Sequence, residues 1–219
     1  MAHDPELWRD RFPILASTNY LVTHSLGAMP STVYDKLREF ADQWATRGVR
    51  AWGEGWWDTP VTVGNLLGRI LNAPQGSVVM FPNVSTIQAL VATSLDFSGR
   101  RNKVVYTDQN FPTNMYVWEG FRKLGARIEV VPTDGITVDT ARLCEAIDEE
   151  TLIVPISHVC FRSHFLQDVA AICSRAREVG ALVLLDTYQS LGTVPVDVQA
   201  LGVDMVCGGS SFGRRSGRT

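Results

Sequence analysis

The sequence predicts an α/β protein: a mostly parallel sheet with helices on both faces, preceded by an N-terminal helical segment. From Ser77 onward, short apolar runs alternate with longer stretches whose apolar residues recur at helical spacing. Strand, helix, strand repeated in this way builds a parallel sheet with crossover helices. At 219 residues, 45% of them hydrophobic, the chain can also bury a sizeable core in one domain or at most two.

Taken in order, Ser31 opens a helix to about Arg47, with Val33, Leu37, Phe40, Ala41 and Trp44 on one face and Gly48 as the stop. The stretch RGVRAWGEGWWDTP reads as a loop with large apolar anchors, and a second helix spans Val61–Leu71. Strands are expected at Ser77–Phe81, Lys103–Thr107, Arg127–Val131, Leu152–Ile156, Ala181–Leu185 and Asp204–Cys207. The helices between them are Thr86–Leu95, Asn114–Leu124, Thr140–Asp148 and Asp168–Val179. The chain thus divides into a helical segment with a Trp-rich loop (1–60), a sheet domain (61–210) and a divergent tail (211–219).

The net charge is -3, from 20 basic and 23 acidic residues, with no basic run except the terminal GRRSGR. That argues against a nucleic-acid partner and leaves open a phosphate site built from backbone amides. Cys144, Cys160, Cys173 and Cys207 have no CxxC or metal-like spacing, as in a reduced cytoplasmic protein with core thiols. No apolar segment follows MAHDPELWRDRF and nothing approaches a membrane-spanning length, so a soluble protein with no membrane partner is expected.

In open parallel sheets ligands bind beyond the carboxyl ends of strands, so the residues following each strand are the candidates. Ser85 and Thr86 fall at a helix N-terminus, where they either cap the helix or help hold a phosphate. Phe111-Pro112 follows the next strand, as a turn with a buried ring or as an aromatic wall. Ser157, His158 and His164 follow the fourth strand; isolated histidines are usually plain polar side chains, with a general base as the alternative. Asp186 ends the fifth strand, where it either caps a helix or faces a ligand.

The stretch LLDTYQSLGTVPVDVQALGVDMVCGGS resembles the fold-type I, pyridoxal-phosphate (PLP) enzymes of the class V aminotransferase group, and within it the kynureninase-like branch. SLGAMP from Ser25 is similar to that branch's Asn-Ser-Leu-Gly, with His24 for the Asn, and FPTN at Phe111 is similar to its Phe-Pro-Ser/Thr-Asp. The resemblance implies an incomplete PLP-binding large domain, with Ser85 and Thr86 at the cofactor phosphate and Phe111 stacked on the ring beside Thr113. It also puts Ser157 against the cofactor, Asp186 at the pyridine nitrogen and Gln189 toward the phenolic oxygen. Asn114, which the resemblance also places among the cofactor-binding residues, stands where the branch usually has Asp, and Gln189 where kynureninases usually have His and cysteine desulfurases Gln.

The family carries PLP as a Schiff base on the lysine of a Ser-x-Lys after the glycine pair. Here Gly208-Gly209 is followed by Phe212 at the lysine position, and Ser211 replaces the family's second phosphate ligand. Lys36, Lys103 and Lys123, the chain's only lysines, lie elsewhere in the pattern. One choice of codons for GRRSGRT, read in a shifted frame, gives Ala-Gly-Gly-Pro-Gly-Ala, similar to a Gly-Gly-Pro-Gly just past the family's lysine; a frame change near Ser210 or an appended tail both account for it. The implied function is hydrolytic C–C cleavage of a kynurenine-like amino acid by a cytoplasmic homodimer, inactive as written for want of the lysine. The alternatives are another class V activity (cysteine desulfurase or aminotransferase) and a non-catalytic fragment or pseudoenzyme.

Overall fold

Among the described residues five parallel strands form a central sheet, in the order β2-β1-β3-β4-β5. They are β1 (Lys103–Thr107), β2 (Arg127–Val131), β3 (Thr151–Ser157), β4 (Leu182–Asp186) and β5 (Met205–Cys207). A computed structural model of the chain describes residues 4, 6–23 and 25–209. Helices α1 (Glu6–Arg9), α2 (Thr32–Arg47) and α3 (Thr59–Leu71) precede the sheet, and α4 (Val84–Thr93) leads into it. Between and after the strands lie α5 (Pro112–Gly120), α6 (Thr140–Ala146), α7 (Val169–Val179) and α8 (Val198–Leu201).

Side-chain alternation along the strands builds two cores. Val105, Val154, Ile156, Val183 and Leu185 face α6 and α7, packing on Leu143, Ile172, Cys173 and Ala176. Val104, Tyr106, Ile153 and Leu184 face the other way, onto Ala92 of α4 and Trp118 of α5. Helices therefore cover both faces, as the sequence predicts. The chain runs from β1 outward to β2, then returns to β3 on the other side of β1, making the β1/β3 boundary the topological switch point.

The predicted strand Ser77–Phe81 is not formed: among the described residues this segment joins no ladder. It lies against α3 instead, with Met80 N donating to Pro60 O at 3.2 Å. Only glycine fits at the crossing, because a Cβ at Gly64 would come within 2.0 Å of the Val78 carbonyl oxygen. The Trp-rich stretch is also more ordered than a loop. Trp52–Trp56 forms a wide helical turn closed by Trp57 N to Trp52 O at 3.3 Å, with Gly55 at φ 124°. Helix α2 carries the expected apolar stripe and stops at Gly48, but Ser31 makes no side-chain cap bond and no residue of the helix is buried. Trp44 is 64% exposed. Among the described residues, no helix is long and apolar enough to cross a membrane.

Candidate functional site

The carboxyl ends of β1, β3 and β4 open into a cleft of about 360 Å³. Ser85, Phe111, Thr113, Asn114, Ser157, Asp186 and Gln189, all expected from the sequence, line it together. Thr86 does not: its backbone N–H donates to the side chain of Asn83, the true N-cap of α4, at 2.8 Å. Asn83, Val84 and Ser85 remain at the cleft, where first-turn N–H groups and the helix dipole favour an anion.

Pro112 opens α5 and fixes its first turn, which places Phe111 at the wall with 40% of its surface exposed. Its ring meets Phe161 edge-on, centroids 5.0 Å apart. Ser157 and Asp186 are register partners on the adjoining strands β3 and β4, and Asp186 pairs onward with Cys207 of β5. Asp186 is 5% exposed. Its Oδ1 accepts from Tyr188 N at 2.9 Å and its Oδ2 from Asn114 Nδ2 at 2.5 Å. Burial pushes the carboxyl up from 3.8 to about 6, against the downward pull of those two donors.

Sequence reasoning missed several lining residues: Ser25, Asn83, Val159, Phe161 and Tyr188. Tyr188 Oη donates to Ser25 O at 3.1 Å, bringing the SLGAMP segment to the cleft. The glycine pair after β5 lets this loop pack closely, since a Cβ at Gly209 would lie 2.5 Å from the Tyr188 ring. His158 is buried behind the floor, its Nδ1 2.9 Å from Ser190 Oγ, and burial lowers its pKa. His164 is exposed at φ 59°. Neither histidine lines the cleft.

All three lysines of the chain fall within the described residues, and none lines the cleft. Lys103 sits at the opposite end of the sheet, its Nζ 2.8 Å from Asp148, 3.1 Å from Glu129 and 2.7 Å from Ala146 O. Lys36 pairs with Glu39 on α2, and Lys123 is exposed beyond α5. The sequence readings at His24, Ser210, Ser211 and Phe212, and of the tail to Thr219, lie outside the described residues.

Buried oxygens without a partner single out the same end of the sheet. Among the described residues they are Thr107 Oγ1, Gln109 Oε1, Asn110 Oδ1, Asn114 Oδ1 and Gln167 Oε1. Four lie between the last residue of β1 and the first turn of α5; Gln167 reaches Ser157 O, at the end of β3, at 2.6 Å. Unpaired buried polar atoms are few in folded proteins, and a cluster of them at one end of the sheet marks that end as polar beyond what packing requires.

The family model for aminotransferase class V matches residues 20–211. The chain belongs to this family. It is 30% identical over 210 residues to the "Uncharacterized aminotransferase YcbU" of Bacillus subtilis (strain 168), covering 96% of this chain and 55% of the relative. It is also 30% identical over 207 residues to a kynureninase of Pseudomonas fluorescens, covering 91% of this chain and 49% of the relative. The chain thus spans about half the length of the curated relatives it matches. Among solved structures, a mutant of C-DES with glycine covalently linked to the PLP cofactor superposes with a TM-score of 0.81 at 21% identity, over 91% of this chain and 54% of that one. The apo cysteine desulfurase of Thermococcus onnurineus NA1 gives 0.80 at 20% identity, over 97% and 55%. These likenesses bear out the class V fold, a parallel sheet flanked by helices.

Proposed function

We propose that the cleft binds pyridoxal 5′-phosphate and that the chain carries the cofactor-binding part of a kynureninase-like enzyme of class V, acting on a small amino acid. The observation that carries this reading is Asp186, a buried carboxylate on the cleft floor with an aromatic wall and a helix N-terminus at the same cleft. The residues fit the group: the first turn of α4 with Ser85 for the phosphate, Phe111 for the ring face, Ser157 and Gln189 for the ring substituents. Thr113 lines the same wall. Bound there, the cofactor would supply an electron sink for bonds at the substrate's α-carbon.

This chain's residues prepare that chemistry in three ways. Asp186, its oxygens oriented by Tyr188 and Asn114, holds a proton on the ring nitrogen by charge attraction. Phe111 and Phe161, in edge-on contact, would present an apolar wall to one face of the ring. The α4 N-terminus offers backbone donors that need no titration. With Phe212 at the expected lysine position and the three lysines elsewhere, the cofactor is held without a covalent bond and kynurenine is not turned over.

The reading carries with it a cytoplasmic homodimer and a division at 1–60, 61–210 and 211–219. A second reading, a desulfurase or aminotransferase, draws on Gln189; Phe111 weighs for the kynureninase side, since desulfurases usually stack a histidine there. The test is titration of the purified chain with pyridoxal 5′-phosphate, followed by borohydride and peptide mapping. Saturable binding with no reduced lysine adduct is expected. No binding would overturn the cofactor reading, and a yellow protein trapped at one lysine would overturn the non-covalent part.

A further inference from the structure

We propose that Asn114 is a positioning residue for Asp186: its side-chain amide supplies the hydrogen bond that keeps Asp186 an ionised carboxylate facing the ring nitrogen. A second carboxyl at this place could supply that bond only by retaining a proton. The inference rests on the cofactor reading above and deepens it.

Both ends of the contact are fixed by rigid elements. Asn114 lies in the first turn of α5, behind Pro112, with its backbone N donating to Phe111 O at 3.0 Å. Asp186 is held by ladder partners on both sides, Ser157 and Cys207. Between them runs the bond from Asn114 Nδ2 to Asp186 Oδ2 at 2.5 Å. The other ionisable groups packed here, Cys207 on β5 and His158 after β3, are pushed by burial toward their neutral forms.

Two observations set this apart from ordinary packing. Asn114 is 1% exposed, yet its Oδ1 has no partner. A side chain kept only to fill space would be better served by leucine, which buries similar volume and leaves no unpaired oxygen. The amide is therefore retained for its N–H. In addition, the residue type resolves a charge conflict. Two carboxylates in contact cannot both ionise, so one keeps a proton. Asparagine provides the same donor with nothing to titrate, leaving a single negative charge for the ring.

The experiment uses the 219-residue chain and 4-deoxypyridoxine 5′-phosphate labelled with nitrogen-15 in the ring. This probe lacks the aldehyde, so no lysine can capture it. Calorimetry gives its affinity, and the ring-nitrogen chemical shift reports whether the ring is protonated. The wild-type chain is expected to bind the protonated ring. Asn114→Leu should weaken binding roughly ten- to a hundredfold, the loss of one hydrogen bond to a charged group, and move the ring signal toward the free base. Asn114→Asp, sharing one proton with Asp186 near neutral pH, should restore the protonated signal and bring affinity back to within about threefold of wild type.

A purely structural role for Asn114 predicts the reverse order, with leucine tolerated and a second buried acid disruptive; that order would overturn the proposal. If Asn114→Leu fails to fold, as circular dichroism would show, the Asn114→Asp signal decides, since a free-base ring there overturns the proposal and a protonated ring supports it. Failure of the wild-type chain to bind the probe takes down the cofactor reading itself, and this proposal with it.

Discussion

Replacing Asp186 by asparagine should stabilise the ligand-free chain at neutral pH while weakening its hold on a protonated ring. Burial raises the Asp186 carboxyl from 3.8 to about 6. At about 1.4 kcal/mol per pH unit, its ionisation opposes folding by about 3 kcal/mol at neutral pH. The sign follows from which state holds the proton. Between 3.8 and about 6 the unfolded chain has released its proton and the folded chain has not, so stability falls as pH rises through that window. Asparagine carries no charge and removes the dependence. It also offers an N–H to Asn114, whose amide can turn so that the unpaired Oδ1 accepts it. Urea unfolding of wild type and Asp186→Asn at pH 4 and pH 7.5 reads the effect directly. The variant should gain about 3 kcal/mol over wild type at the higher pH and little at the lower. An equal difference at both pH values, or a variant less stable at pH 7.5, would refute the burial argument.

Three further variants probe the surroundings. Gly209→Ala places a Cβ 2.5 Å from the Tyr188 ring and should cost about 1–3 kcal/mol; an unchanged urea midpoint would show that the loop yields freely. Lys103→Met breaks the ties to Asp148 and Glu129 at the amino end of the sheet. It should lower stability by about 1.5–3 kcal/mol and leave pyridoxal 5′-phosphate binding intact; lost binding would contradict the placement of the site. The exposed ring of Trp44 and its neighbours Phe40 and Trp52 form an apolar surface. The chain should bind a hydrophobic dye and associate with rising concentration, both reduced in a Phe40→Ser, Trp44→Ser variant. A dye-silent monomer with a sharp two-state transition would show that this surface needs no cover.

How much was legible depended on whether the signal was local. β1 and β2 have the predicted bounds, Lys103–Thr107 and Arg127–Val131, because β-branched runs bounded by polar turns leave little choice of element. Ser77–Phe81 has the same kind of composition, but a strand also needs a hydrogen-bonding neighbour, and periodicity says nothing of neighbours. The stripe on α2 likewise announces an apolar face without saying what covers it. At the site, Asp186, Phe111 and Ser157 are legible because each lies at or just beyond the carboxyl end of a strand and the parallel sheet brings those ends together. Asparagine is as good a cap as serine or threonine, so local composition does not choose between Asn83 and Ser85 or Thr86 as the start of α4. The Tyr188–Ser25 bond joins residues 163 apart, and no local pattern encodes it. The sequence places Asn114 at the cofactor as a departure from Asp, but does not show that it donates to the one carboxylate the site depends on.

The central claim, that the carboxyl ends of β1, β3 and β4 with the start of α4 form a pyridoxal-phosphate site, is tested most directly by amide NMR of the chain titrated with pyridoxal 5′-phosphate. Saturable shifts are expected at Val84, Ser85, Thr113, Asn114, Ser157, Asp186 and Tyr188, with Lys103 and Asp148 at the far end of the sheet unmoved. Shifts concentrated instead on the apolar surface of Phe40, Trp44 and Trp52, or at the amino ends of the strands, would contradict it.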